Sequence, residues 1–186
     1  MVKKSVKGRM ELQKNNIPKD IRFHYTPLEL VKYCLKNIDF DCDDFVLDAG
    51  SGKNKVWLDN INTKYKDWCE LELGKDFFDY SKEVDWIVGN PPYKECWEFW
   101  QKSFQIARKG VGFLISINMF NKFTPKRLEE IKNKGFFINK VCVVSCKKWF
   151  GRYFFVVFTK KSNSLFEWSL ENYGDNMEVK PNSSHD

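Results

Sequence analysis

Apolar residues in this chain recur with two periods, and the alternation of the two organises the sequence. Leu28, Val31, Leu35 and Ile38 fall at helical spacing and predict a helix over about 27–38. Ahead of it, Thr26-Pro27-Leu28-Glu29 reads as a capping box with proline at the first helical position. Phe45-Val46-Leu47-Asp48 is a short apolar run that stops at Gly50-Ser51-Gly52, the mark of a strand leading into a glycine turn. Residues 68–73 alternate and predict a second strand. Residues 84–88 predict a third, which stops at Gly89-Asn90-Pro91-Pro92. Trp97, Trp100, Phe104 and Ala107 lie on one helical face, and Gly110 reads as the cap that closes that helix. Residues 111–117 are almost continuously apolar, as a strand covered on both faces requires. Thr124-Pro125 opens a further helix with Leu128 and Ile131 inward. Two final strands, 140–146 and 153–160, are joined by a six-residue link short enough to make them antiparallel.

Strands alternating with helices predict an α/β fold with a mixed, mostly parallel sheet and a C-terminal antiparallel hairpin. Residues 1–22 read as a basic flexible arm, 23–161 as the folded domain and 162–186 as a polar tail. In open sheets of this kind ligands gather at the carboxyl ends of the strands. Asp48, Glu70 and Asn90 each fall at such an end, so the chemistry is expected there.

Charge sharpens this picture. The formal total is +6, but 1–22 carry a net +5, 39–98 a net −8 and 121–160 a net +8. A basic end beside an acidic middle predicts one surface for a polyanion and another for a different ligand. Six cysteines occur without any Cys-x-x-Cys pair, and His24 and His185 are the only histidines, so no metal site is expected. No apolar run approaches the ~18 residues of a membrane span or a secretory leader. The expected setting is a reducing cytoplasm.

The strongest chemical signal is Asn90-Pro91-Pro92-Tyr93. Two prolines directly after a strand cannot continue its ladder, so the chain must leave the sheet in a fixed extended turn. Such a turn presents the Asn90 amide and the Pro91 carbonyl, two acceptors for one exocyclic amino group. Tyr93 adds a flat face for stacking. This string resembles the catalytic motif of class I amino-methyltransferases, above all the adenine-N6 DNA methyltransferases. It is also similar to that of RNA adenine and protein-glutamine methyltransferases. The resemblance spans roughly 23–160 and implies a seven-stranded Rossmann-like fold and S-adenosyl-L-methionine as methyl donor, with no metal.

The same resemblance places the other motifs. Asp48-Ala49-Gly50-Ser51-Gly52 looks like the family's glycine-rich loop, with Asn54 where a third glycine is common. Glu70 resembles the acid that binds the cofactor ribose, with Glu72 as its rival. Asp76-Phe77 looks like the pair that takes the cofactor adenine. So few residues separate Glu70 from Asp76 that the family's intervening helix is missing or vestigial. Phe23-His24-Tyr25-Thr26-Pro27 resembles the motif in which Tyr and Thr touch the methionine end. Its place ahead of the glycine loop matches the γ-type order, in a compact, phage-like form. Lys147-Lys148-Trp149-Phe150-Gly151-Arg152 sits where the family places an aromatic beside the target base. Trp149 or Phe150 suits that role, and Lys147, Lys148 and Arg152 suit phosphates.

The expected activity is methyl transfer to the N6 amino group of adenine in DNA. No stretch of ~60 or more residues is left for a recognition domain, so specificity is slight or comes from a partner subunit. The alternatives are an RNA adenine methyltransferase, a protein-glutamine methyltransferase, and a non-catalytic cofactor or nucleic-acid binder of the same fold.

Overall fold

The computed structural model describes residues 25–147, 149, 151–161, 166–167 and 169–170. The expected basic arm, most of the polar tail, both histidines, Lys148 and Phe150 lie outside these residues. The elements run α1 (Leu28–Lys36), β1 (Phe45–Ala49), α2 (Val56–Asn60), β2 (Tyr65–Cys69), a 3₁₀ turn (Leu71–Leu73), β3 (Val84–Gly89), α3 (Cys96–Ile106), β4 (Ala107–Ser116), α4 (Ile117–Phe120), α5 (Pro125–Asn133), β5 (Phe137–Val144) and β6 (Tyr153–Thr159).

Six strands form one sheet in the order β2-β1-β3-β4-β6-β5. β2, β1, β3 and β4 are parallel, while β6 runs antiparallel to both β4 and β5. The expected mixed sheet with a terminal hairpin is what forms. The family's seventh strand has no counterpart among the described residues. Between β2 and β3 the chain makes only the 3₁₀ turn and an isolated bridge between Glu70 and Lys75, which leaves β2 at the sheet edge.

Alternation along the strands gives the sheet two apolar faces, and each face takes helices. Val31, Leu35 and Ile38 of the α1 region and Trp57 of α2 pack with Val46, Val88, Leu114 and Phe155. On the other face Phe99, Trp100 and Phe104 of α3 and Leu128 and Ile131 of α5 pack with Leu47, Ile87, Phe113 and Phe158. The positions 96, 99, 100, 103 and 104 of α3 are all buried, the i, i+3, i+4, i+7 stripe of a core-facing helix. The result is a three-layer sandwich with the carboxyl ends of β1, β2 and β3 opening on one side.

Several local expectations are corrected. Gly110 does not close a helix; α3 ends at Ile106 and Gly110 is a residue of β4. Its lack of a side chain serves close packing, since a Cβ there would lie 2.3 Å from the Trp86 ring and 2.7 Å from the Phe158 carbonyl oxygen. The second strand is 65–69 rather than 68–73, so Glu70 follows its last residue. β5 begins at Phe137, and Ile117 starts a short helix instead of ending β4. The capping box does not form either. Pro27 occupies the N-cap position of α1 with no side-chain cap bond, because the Thr26 hydroxyl is engaged elsewhere.

Candidate active site

Three strand ends and the segment before α1 enclose a cavity of about 480 Å³. The loop after β1 forms one wall. The Gly50 and Ser51 amides donate to the Cys69 carbonyl at 3.0 and 2.9 Å, which ties the loop to the end of β2. The chain then turns at Gly52 with φ 63°, a left-handed conformation that favours glycine. A Cβ at Gly52 would also come within 3.4 Å of the Tyr25 ring.

Glu70 forms the second wall. Its backbone is clamped by reciprocal bonds with Lys75 (2.8 and 3.0 Å). Its carboxylate accepts from the Gly52 amide at 2.7 Å and from the Glu72 amide at 3.2 Å. Glu72 also borders the cavity, but it is exposed and paired with Lys53 at 3.2 Å. Asp76 accepts from the Phe78 amide at 2.9 Å. Phe77 is buried and stacked on Phe99 at 4.7 Å, and the exposed Phe78 meets the same ring edge-on at 5.3 Å. Two carboxylates and three aromatic rings thus line this side of the cavity.

The turn after β3 closes the site. Asn90, Pro91, Pro92 and Tyr93 all line the cavity. The Asn90 Nδ2 donates to Thr26 Oγ1 at 3.3 Å, which turns the amide oxygen away from Thr26. The same hydroxyl oxygen accepts from the Trp57 indole at 3.2 Å. Tyr93 is half-buried, and burial together with the neighbouring Tyr153 hydroxyl holds its phenol pKa above the ordinary value, so it stays protonated.

Of the residues expected to hold a cofactor, Tyr25, Thr26, Gly50, Gly52, Glu70, Asp76, Phe77 and Asn90 line this cavity. Asp48 does not. It is fully buried beneath the loop, where one carboxylate oxygen accepts from the Leu58 amide at 3.0 Å and fixes α2. Its other oxygen has no hydrogen-bond partner among the described residues. Lys147, Trp149 and Arg152 do not line the cavity, and Trp149 is buried against Tyr153 at 4.7 Å rather than presented to a base. Trp57, Phe78, Glu95 and Phe99 line the cavity without having been anticipated. Trp57 sits on the five-residue α2, too short for its period to show in the sequence.

The buried Asp48 has a consequence for stability. Desolvation pushes its carboxyl up to about 8, opposed by the Leu58 amide. The folded chain therefore keeps a proton that the unfolded carboxyl releases near pH ~3.9. The folded state binds more protons across that window, so this group's contribution to stability falls as pH rises from about 4 to 8. Asp48→Asn keeps an acceptor for Leu58 and cannot ionise. Thermal unfolding of variant and parent should show the variant gaining relative stability between these pH values. Parallel profiles would mean that Asp48 is ionised in the fold.

No group of three or more His, Cys, Asp or Glu residues among the described ones is placed to hold a metal ion, and no described helix is long and apolar enough to cross a membrane. No protein-family model and no curated protein sequence matches the chain. Solved structures do resemble it. A candidate RNA methyltransferase from Pyrococcus horikoshii is 17% identical with a TM-score of 0.56, over 77% of this chain and 91% of that one. The 23S rRNA methyltransferase ErmE is 12% identical with a TM-score of 0.55, over 77% and 72%. A precorrin-6y C5,15-methyltransferase from Geobacter metallireducens is 12% identical with a TM-score of 0.54, over 74% and 90%. The chain has the Rossmann-like fold of class I methyltransferases.

Proposed function

We propose that this protein transfers a methyl group from S-adenosylmethionine to the exocyclic N6 amino group of adenine in DNA. The observation that carries the reading is the Asn90-Pro91-Pro92-Tyr93 turn, which leaves β3 at the mouth of the cavity with its asparagine amide oriented by Thr26. The cavity residues fit the cofactor. Glu70 offers a carboxylate to a vicinal diol, and Asp76 offers one to an adenine amino group. Phe77, Phe78 and Phe99 provide an apolar floor for a ring. The loop 50–52, Tyr25 and Thr26 complete the lining and offer backbone and hydroxyl groups to the amino-acid part.

When bound, S-adenosylmethionine supplies an electrophilic methyl group. The chain's own part is to position the acceptor. The Asn90 amide oxygen and the Pro91 carbonyl accept the two amino hydrogens of the base, which draws the nitrogen lone pair out of the ring and towards the methyl carbon. Tyr93, kept neutral, gives the base a face to stack on. Holding both partners in line supplies most of the rate. A base in a duplex must first rotate out of the stack.

Tyr93, Lys94 and Glu95 alone separate Pro92 from α3. With no recognition insertion there, little sequence preference is expected unless a partner subunit provides it. The test is transfer of labelled methyl from the cofactor to DNA, RNA and protein in parallel, followed by nucleoside and amino-acid analysis. N6-methyladenine from DNA is the expected product. Label confined to RNA adenine or to glutamine would assign one of the related activities, and no transfer to any substrate would leave a binding protein.

A further inference from the structure

Among the described residues, the partners of the half-buried Arg127 guanidinium are neutral groups. It lies in the first turn of α5, with its guanidinium carbon 4.2 Å from the centre of the Trp97 ring. One Nη donates to the Lys122 carbonyl at 3.1 Å. Trp97 is itself braced edge-on by Phe123 at 6.3 Å. The guanidinium is therefore held between an indole ring and a peptide carbonyl. No carboxylate among the described residues pairs with it, nor with Lys94, Lys122 or Lys126. Elsewhere the fold does supply partners: Asp85 takes Arg108 through two bonds of 3.1 and 3.0 Å, and Asp41 and Asp44 both take Lys109. A guanidinium that rests on a ring, with no carboxylate partner among the described residues, keeps its remaining donors available to an anion from outside.

The platform adjoins the cavity. Trp97 lies in the first turn of α3, two residues past Glu95 and four past Tyr93, both of which line the cavity. Lys122, whose carbonyl takes the Arg127 bond, brings a second cationic residue to the same turn. Lys94 and Lys126 are exposed nearby in sequence. A guanidinium fixed on an aromatic ring presents its remaining donors as a planar fork, the geometry that suits phosphate oxygens.

We propose that Trp97, Arg127 and Lys122 form a clamp for a phosphodiester, holding the nucleic-acid strand next to the target base. This deepens the reading of the cavity as an adenine methyltransferase site and rests on it. Lys147 and Arg152 of the hairpin link are not part of this clamp.

The experiment uses the full chain saturated with S-adenosylmethionine and fluorescent single-stranded oligodeoxynucleotides of several sequences, titrated at several salt concentrations. Arg127→Gln should weaken binding by about tenfold or more, equally for every sequence. It should also lower the salt slope by about 0.7 for each lost phosphate contact. Cofactor affinity and melting temperature should stay those of the parent. Arg127→Lys restores the charge without the plane, and should recover the slope but only part of the affinity. Lys122→Gln should lower the slope in the same way. A chain that methylates DNA but keeps the parent slope in Arg127→Gln overturns the clamp alone. So does a loss that is equal in Arg127→Lys and tracks a lower melting temperature, which would make Arg127 a brace between α3 and α5. A chain that methylates no nucleic acid overturns the reading beneath it.

Discussion

Asn90→Ala is expected to slow methyl transfer by about 10²- to 10³-fold, the scale of removing one preorganised hydrogen-bond partner from a developing charge. The substitution deletes one of the two acceptors for the amino group and leaves the other, the Pro91 carbonyl, in place. The turn itself should persist, because two prolines and the half-buried Tyr93 fix it independently of the amide. Thr26 also keeps its second donor, the Trp57 indole. Cofactor affinity should therefore change little. Turnover at saturating cofactor, measured beside calorimetric binding, separates the two effects. Full activity in the variant would remove Asn90 from the reaction.

Glu70→Ala should weaken S-adenosylmethionine binding by about 1.5–3 kcal/mol, the contribution of a hydrogen bond to a charged group. A further loss is expected from the wall itself, since the Gly52 amide would lose its 2.7 Å acceptor and the loop 50–52 its hold on β2 at that point. Glu70→Gln retains an oxygen for Gly52 and should lose less. Glu72→Ala is the control: its side chain is exposed and engaged with Lys53, a pairing worth little at a surface. Calorimetry on the three variants decides the matter. A loss confined to Glu72→Ala would move the diol contact to Glu72, and no loss in any of them would end the assignment.

The sequence announced those features whose chemistry is local. A glycine loop after an apolar run, and two prolines after another, constrain the backbone wherever they occur, and both lie where their neighbours said they would. Features that depend on distant partners were less readable. Gly110 has the position of a helix cap in the sequence, but what it answers to is the Trp86 ring on the adjacent strand. Thr26 satisfies the capping pattern, yet its hydroxyl is taken by Trp57 and Asn90, 31 and 64 residues away. The alternation over 68–73 was real, but the strand stops at Cys69, because Glu70 turns back to pair with Lys75. Trp149 or Phe150 was expected beside the base from the family resemblance; Trp149 is buried against Tyr153, and Phe150 lies outside the described residues. Asp48 matched a ligand position, and in the fold it is buried outside the cavity lining and accepts from the Leu58 amide.

The order of the sheet also bears on how the chain can assemble as it is made. β6 is the last strand of the described residues to be synthesised, yet it lies between β4 and β5 and is the only neighbour β5 has. β2, β3 and β4 can pair as they emerge, since each finds its partner upstream in β1 or β3. β5 cannot dock until a segment beginning at Tyr153 has been translated and inserted beside β4. Until then the growing chain carries an open edge along Gly110–Ser116, flanked by some of the most apolar positions of the protein. Such an edge invites pairing with the wrong chain. A ribosome stalled before Thr159 would thus release something more adhesive than a merely shortened chain.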